Sequence, residues 1–426
     1  MAAELARWCA LLFVGIGVGR VAPEGLTRFM ALVGAALLAR ISVSFLYTDI
    51  QYVRARRGAG KGLRAEPLVA MLWVAAYVLL LYPGRFDGPF PLGMSGTAAP
   101  LLLFMFVAAA AQLAAERLAD LPSSDNEEDE EQRPGERAAR RDPYLLSTKV
   151  VALEALAWLV GGLAFCLTWR SIPSALWGLC AGSFLALVFG LLALWSSGGL
   201  RRIVPQTHGI EHPPHSLLMV SMGAAMLIDA VLAAHLLPAQ DVPVYGRLFV
   251  AGKFMLLPGV AMSAIVMQTM SDPTAHLAER RRSFSLSLTF LVLILAGGVS
   301  LALVKPEFVV EVLFGADPGN AAKHLGFAML AQALGIICVM LMRMNTWSKG
   351  RQGSIIGPFL ALLLAAGYVA WHRRIADFLA IQITLYTVVT LLMLIWTARM
   401  LGSGVTRAYD LESSVQAQEA PRRDSV

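Results

Sequence analysis

The chain has 426 residues, of which 57% are hydrophobic and 15% are charged, and its mean hydropathy is +0.64. A composition this apolar excludes a soluble globular domain and predicts a polytopic membrane protein. In such a protein the net charge of +6 matters less than where Lys and Arg lie relative to the spans, and it does not imply binding of nucleic acid.

Twelve apolar runs have the length of a membrane-spanning helix, so we expect an all-α protein with about 12 transmembrane helices. We expect two six-helix halves around a central cavity, residues 1–200 and 201–400, followed by a disordered cytoplasmic tail at 401–426. The runs lie at 8–22, 29–47, 67–82, 97–115, 150–169, 172–195, 215–237, 244–270, 284–304, 322–342, 353–371 and 375–397.

The distribution of Lys and Arg predicts the orientation of the chain. An even number of spans puts both termini on one side, and cytoplasmic termini place 24 Lys and Arg residues inside and nine outside. The segment 120–143, which holds an acidic block and then a basic one, is predicted to be a disordered cytoplasmic loop. A docking site for a cytoplasmic partner is the alternative for this loop.

Two opposite charges lie within consecutive spans of the second half. If the turn between these spans is centred near Asp241, then Asp229 and Lys253 are each twelve residues from it, or roughly 18 Å down the helices. A charge at that depth normally pairs, faces the bundle interior or lines an aqueous path. We expect the two residues to meet near the midplane as an ion pair, either at a functional site or merely joining two helices.

Arg40 is the counterpart of Lys253 in the first half. The second span of each half follows a short turn and carries one cation, and counting from the turns puts the two cations at similar depth. No acid on a neighbouring span is evident at the depth of Arg40. We therefore expect Arg40 and Lys253 to face a shared cavity, with simple helix pairing as the alternative for Arg40.

No motif in the sequence indicates an enzyme, a cofactor site or a metal site. There is no GxSxG, Walker A or Rossmann glycine pattern in context, and the histidines of HGIEHPPH at 208–215 lack HExxH spacing. The four cysteines lie in apolar runs without metal-ligand spacing. We expect no catalytic residue, no metal and no cofactor.

Two stretches resemble a known family. The segment GIGVGRVAPEGLTRFMALVGAALLARISVSFLYTDIQYVRARR at 15–57 resembles the first two spans of the polysaccharide biosynthesis (Wzx-like) flippases. These flippases belong to the multidrug/oligosaccharidyl-lipid/polysaccharide (MOP) exporter superfamily. The second half is similar through Asp229, the turn Tyr245-Gly246 and VEVLFGADPGNAAKHLGFAML at 310–330.

The resemblance implies a carrier in the bacterial inner membrane, with both termini cytoplasmic, that moves undecaprenyl-diphosphate-linked oligosaccharide by alternating access. A diphosphate dianion that crosses the midplane needs cations there, so we expect diphosphate contacts from Arg40 and Lys253. Arg20, at the outer rim of the first span, is the third candidate, with interfacial snorkelling as its alternative. Asp229 would serve in ion pairing or coupling. The implied partners are the lipid-linked oligosaccharide, membrane lipid and, in the cell, a polymerase and glycosyltransferases.

Three alternatives remain open. A cation-coupled multidrug exporter of the same superfamily would use Asp229 to bind a proton or Na⁺. A membrane-embedded polymerase would need a large outer loop with Arg, His or carboxylate residues, and the longest outer loops, 83–96 and 305–321, are short. The third alternative is a non-catalytic assembly factor for a polysaccharide machine, and the charged loop would suit that role.

Overall fold

The structure is a computed structural model that describes residues 2–34, 36–37, 40, 98–119, 143–196, 215–271, 277–315, 319–347 and 352–402. The predicted third span at 67–82 lies outside the described residues. So do residues 120–142 of the predicted loop, the junction at 197–214 and the tail after residue 402.

The described residues are helical, with short turns between the helices, and they include no strand. This confirms the predicted all-α fold class. The helices are α1 (Ala2–Val21), α2 (26–34), α3 (Ala98–Ala119), α4 (Pro143–Trp169), α5 (Ile172–Ser196), α6 (His215–Leu236), α7 (Val242–Lys253), α8 (Leu256–Ser271), α9 (Leu277–Val304), α10 (Pro306–Phe314), α11 (Gly319–Trp347), α12 (Gln352–Ala370) and α13 (Ile375–Gly402).

Within the described part, these helices are those of a multi-pass membrane protein. Six helical segments are long and apolar enough to cross a membrane, and each overlaps one of the predicted spans. Large apolar side chains face outward along them, and Trp195 is 73% exposed. In water this surface would be unfavourable, whereas in a bilayer it contacts lipid tails. The six segments are Leu146–Trp169, Ile172–Ser196, Val242–Ser263, Ala278–Val304, Gly319–Met342 and Ile375–Arg399.

The eighth predicted span is interrupted where the sequence analysis expected one helix. Helix α7 ends at Lys253 and α8 begins at Leu256. Pro258 explains the break, because it has no N–H for the carbonyl of Phe254 and its ring crowds that carbonyl. The backbone there tightens, and the Leu257 N–H donates to the Phe254 carbonyl at 3.2 Å.

The described helices pack in two groups. Helices α1, α3, α4 and α5 pack mainly against one another, and α6–α9 pack with α11–α13. Helix α1 also contacts α7, α8 and α10 of the second group. The boundary at residue 200 and the central cavity stay predictions.

Glycines allow the closest approaches within and between these groups. A Cβ on Gly178 of α5 would lie 2.3 Å from the carbonyl oxygen of Gly161 on α4. A Cβ on Gly246 of α7 would lie 2.7 Å from the backbone nitrogen of Thr27 on α2. Small residues let membrane helices approach in this way, where packing rather than hydrophobic burial holds them together.

Candidate functional site

Five charged side chains are buried within the described bundle, and they form two clusters. We name each cluster by its acid: the Asp229 cluster is Asp229, Tyr245, Lys253, Gln332 and Gln382, and the Glu154 cluster is Arg7, Arg40, Gln112, Glu154 and Ser183. The five charged residues are Arg7, Arg40, Glu154, Asp229 and Lys253.

In the Asp229 cluster, the two predicted partners are neighbours. The Nζ of Lys253 lies 4.0 Å from Oδ2 of Asp229, and both side chains are almost fully enclosed. This is the pairing that the depth of the two residues predicts. What the pair does in transport stays a prediction.

Lys253 is held by more than its acid. Its ammonium donates to Gln332 Oε1 at 2.8 Å and to the carbonyl of Met226, and it lies 4.6 Å from the centre of the Phe249 ring. Three groups besides Asp229 thus stabilise the cation.

Asp229 accepts three hydrogen bonds. The backbone N–H of Ala230 donates to Oδ1 at 3.0 Å, while Tyr245 Oη at 3.1 Å and Gln382 Nε2 at 3.0 Å donate to Oδ2. These donors come from three helices, α6, α7 and α13. A carboxylate with three donors and a nearby ammonium is well compensated in its ionised form.

Two oxygen atoms beside this network have no hydrogen-bond partner in the described part of the chain. They are Oε1 of Gln382 and Oη of Tyr368, and both side chains are buried. Buried polar atoms are rarely left unsatisfied unless the site serves a water, an ion or a proton. The described residues contain no group of three or more His, Cys, Asp or Glu residues suited to a metal ion.

The Glu154 cluster corrects the prediction that Arg40 has no acid near it. Oε2 of Glu154 lies 3.1 Å from Nη2 of Arg40, and the same oxygen accepts from Nη2 of Arg7. Gln112 Oε1 accepts from Nη1 of Arg7 at 3.1 Å and also from Arg40. Glu154 is 0% exposed, so two guanidinium groups and one carboxylate share a buried site.

Sequence reasoning missed Glu154 because it lies in the apolar run of α4. The predicted span begins at 150, whereas α4 begins at Pro143, so Glu154 lies deeper in the helix than the prediction placed it. A lone Glu within a membrane-length apolar run was the signal that could have found it.

Two hydrogen bonds in series fix the other oxygen of Glu154. Ser183 Oγ donates to Oε1 at 3.1 Å and accepts from Trp158 Nε1 at 2.8 Å. The Trp158 ring also lies 5.4 Å from the guanidinium carbon of Arg40. Trp158 therefore stabilises the Glu154 carboxylate through Ser183 and the Arg40 guanidinium through its ring.

The two clusters have one arrangement in common, which extends the correspondence between Arg40 and Lys253. In each group, the cation on the second predicted span donates to a glutamine on the fourth, Gln112 on α3 or Gln332 on α11. The clusters share none of these contacts. The structure thus brings Lys253 to Asp229 and Arg40 to Glu154.

Arg20 lies apart from both clusters, at the end of α1. Its exposed guanidinium donates to the carbonyls of Val312 at 2.7 Å and Leu313 at 3.0 Å, near the end of α10. Gly315 follows with φ of 61°, a left-handed helix end. A cation at a helix C-terminus can donate to the last carbonyls of the helix, and it interacts favourably with the helix dipole.

Comparison with known proteins places the fold. No protein-family model and no curated protein matches the chain. The solved structure of the lipid II flippase MurJ in an inward closed conformation is similar, with a TM-score of 0.61 at 14% identity, over 93% of this chain and 87% of that one. A multidrug resistance MATE family transporter of the MOP superfamily, in its inward-facing conformation, gives 0.57 at 13% identity, over 92% and 94%. At such identities the likeness shows the fold alone, which this chain shares with both transporters.

Proposed function

We propose that the chain is a membrane carrier that moves lipid-linked oligosaccharide between leaflets, with undecaprenyl diphosphate as the lipid carrier. The observation that carries the proposal is the Glu154 cluster, where two guanidinium groups lie buried inside an apolar bundle. The fold is one that a lipid II flippase also has. The resemblance of residues 15–57 and 310–330 to polysaccharide flippases adds to this support.

The chemistry of the substrate explains why buried cations are needed. A diphosphate is a multiply charged anion, and the hydrocarbon core that it must cross is roughly 30 Å thick. A protein can carry such a group only if it supplies positive charge within that thickness. Arginine suits the task because its planar fork holds two phosphate oxygens at once.

Arg40 and Lys253 are the proposed diphosphate contacts, one from each group of helices. Both are engaged with protein acceptors in this structure, so each would exchange an acceptor for a phosphate oxygen. Arg20 is the proposed third contact. It would serve once α1 has moved from α10 and released the two carbonyls.

A cation-coupled exporter is the second candidate, and the Asp229 cluster favours it. Asp229 accepts from Gln382, whose Oε1 has no hydrogen-bond partner among the described residues, and within the same described part the Oη of Tyr368 has none either. Such a group of oxygens suits a bound proton or cation that drives transport. The polymerase and assembly-factor alternatives have no described feature in their favour.

The test is lipid translocation in proteoliposomes. Labelled undecaprenyl-diphosphate oligosaccharide is placed in both leaflets, and its accessibility to an added sugar-modifying enzyme reports flipping. Arg40→Ala should lower the rate ten- to hundredfold, because it removes a charge-assisted hydrogen bond of roughly 1.5–3 kcal/mol. Arg40→Lys should retain part of the rate.

Arg373→Ala is the matched control, since Arg373 is exposed in the turn before α13 and should keep the parental rate. Flipping by Arg40→Ala at that rate would refute the proposal. Uptake of a lipophilic cation driven by a pH gradient, lost in Asp229→Asn, would instead favour the exporter.

A further inference from the structure

The short helix α10 is joined to α1 across the boundary between the two groups of helices. Arg20, at the end of α1, donates from Nε to the carbonyl of Leu313 at 3.0 Å and from Nη2 to that of Val312 at 2.7 Å. These carbonyls belong to the last turn of α10, where the helix itself provides no donor for them. One guanidinium thus holds the end of α10 with two charge-assisted hydrogen bonds.

An aromatic ring packs into the same junction. Phe314, the last residue of α10, is 1% exposed. A Cβ on Gly19 of α1 would lie 2.7 Å from Cδ1 of this ring, so glycine at position 19 lets the ring lie against the α1 backbone. Another bond crosses the same boundary, from the hydroxyl of Thr27 to the carbonyl of Val242, where α7 begins.

The junction lies at one end of the bundle. Helix α1 ends at Val21, α7 begins at Val242, and α10 follows the end of α9 at Val304. Because consecutive spans run in opposite directions, these helix ends belong to one side, which the distribution of Lys and Arg predicts to be the outer side. When the two groups move apart at this side, α10 must leave α1.

We propose that Gly19, Arg20 and the last three residues of α10 form an outer latch, which holds the two groups together at this end and releases when the carrier opens outward. The latch goes beyond the proposed function, because it requires only that the carrier opens on alternate sides. Both candidate functions need such an opening. The same release would free Arg20 for the phosphate contact proposed above.

The chemistry of the latch makes it reversible. The acceptors of Arg20 are neutral carbonyls, and its guanidinium is exposed, so water takes over both hydrogen bonds when the helices separate. By contrast, the guanidinium groups of the Glu154 cluster are buried against a carboxylate. The exposed arginine is the one suited to a contact that breaks and re-forms in each transport cycle.

The experiment measures how often the boundary opens, through the reactivity of a cysteine placed in it. Val250 of α7 is fully buried and faces α1, since a Cβ on Gly15 would lie 3.3 Å from its Cγ2. Val250→Cys is introduced into a full chain whose native cysteines are replaced by alanine. The protein is held in nanodiscs, where a water-soluble maleimide reaches both sides. The chain with an intact latch should react slowly.

Arg20→Ala should raise the reaction rate about tenfold, because the loss of hydrogen bonds to a charged group shifts the equilibrium toward the open form. Lys305→Ala is the matched control. It removes one exposed cation at the other end of α10, and it should keep the rate of the intact latch.

Gly19→Ala tests the latch independently of charge. The new Cβ would press on Phe314, so this variant should also react faster. Gly17→Ala is its control, because the new Cβ would likewise lie 2.7 Å from a side-chain atom, but this atom is Cδ2 of Leu163 on α4, in the same group as α1. It should leave the reaction rate unchanged.

Cys338 distinguishes opening from unfolding. It is buried in the second group, and in a parallel set of variants that keeps this native cysteine alone it should stay unreactive. If Arg20→Ala makes Cys338 reactive, the comparison of Gly19→Ala with Gly17→Ala decides.

Unchanged reaction rates in both Arg20→Ala and Gly19→Ala would overturn the latch, and so would equal increases in the two controls. The measurement uses no lipid-linked sugar, so its result is separate from the flipping assay. Faster reaction in these variants, in a chain that flips no undecaprenyl-diphosphate oligosaccharide, would refute the proposed function and leave the latch standing.

Discussion

Replacing Asp229 by Asn tests whether the Asp229 cluster depends on its charge pair. At the observed 4.0 Å, two unit charges attract by about 4 kcal/mol at an effective dielectric constant near 20. The new amide also puts an N–H₂ group where one carboxylate oxygen accepted, so that it faces either the Ala230 N–H or both Tyr245 and Gln382. We expect the free energy of unfolding to fall by about 3–5 kcal/mol, the usual cost of leaving one charge of a buried pair alone.

The assay is equilibrium unfolding by sodium dodecyl sulfate in mixed micelles, applied as a double-mutant cycle. Lys253→Met removes the partner charge with a side chain of similar length. The double variant should be more stable than the sum of the single effects predicts, because it leaves no charge unpaired. Glu307→Gln, at an exposed position on α10, is the control and should stay within about 0.5 kcal/mol. Single effects below about 1 kcal/mol that simply add would refute the reasoning.

Two further predictions concern orientation and packing. A cysteine in place of Asn126, with the four native cysteines replaced by alanine, should react with an impermeant maleimide only after the cells are opened; reaction in intact cells would reverse the topology. Gly246→Ala should cost about 1–3 kcal/mol in the same unfolding assay, because its Cβ would lie 2.7 Å from the Thr27 nitrogen. Gly297→Ala has no atom within 4 Å of the new Cβ and should be neutral or slightly stabilising, so equal effects at the two glycines would contradict this packing.

The sequence alone was enough to predict the helices and one ion pair. Apolar runs of membrane length predict helices wherever the structure describes them, because hydropathy and the rise per residue are local properties. Asp229 and Lys253 lie on consecutive spans at equal distance from one turn. A hairpin constrains both partners, so simple counting found the contact that the structure has.

Other features needed the tertiary structure. Arg40 and Glu154 are 114 residues apart, and which helices become neighbours depends on packing across the whole bundle. Arg20 meets α10 across an even longer separation. Hydropathy determines how deep a side chain lies in the membrane, whereas for partners outside one hairpin the packing of distant helices decides which group it faces at that depth.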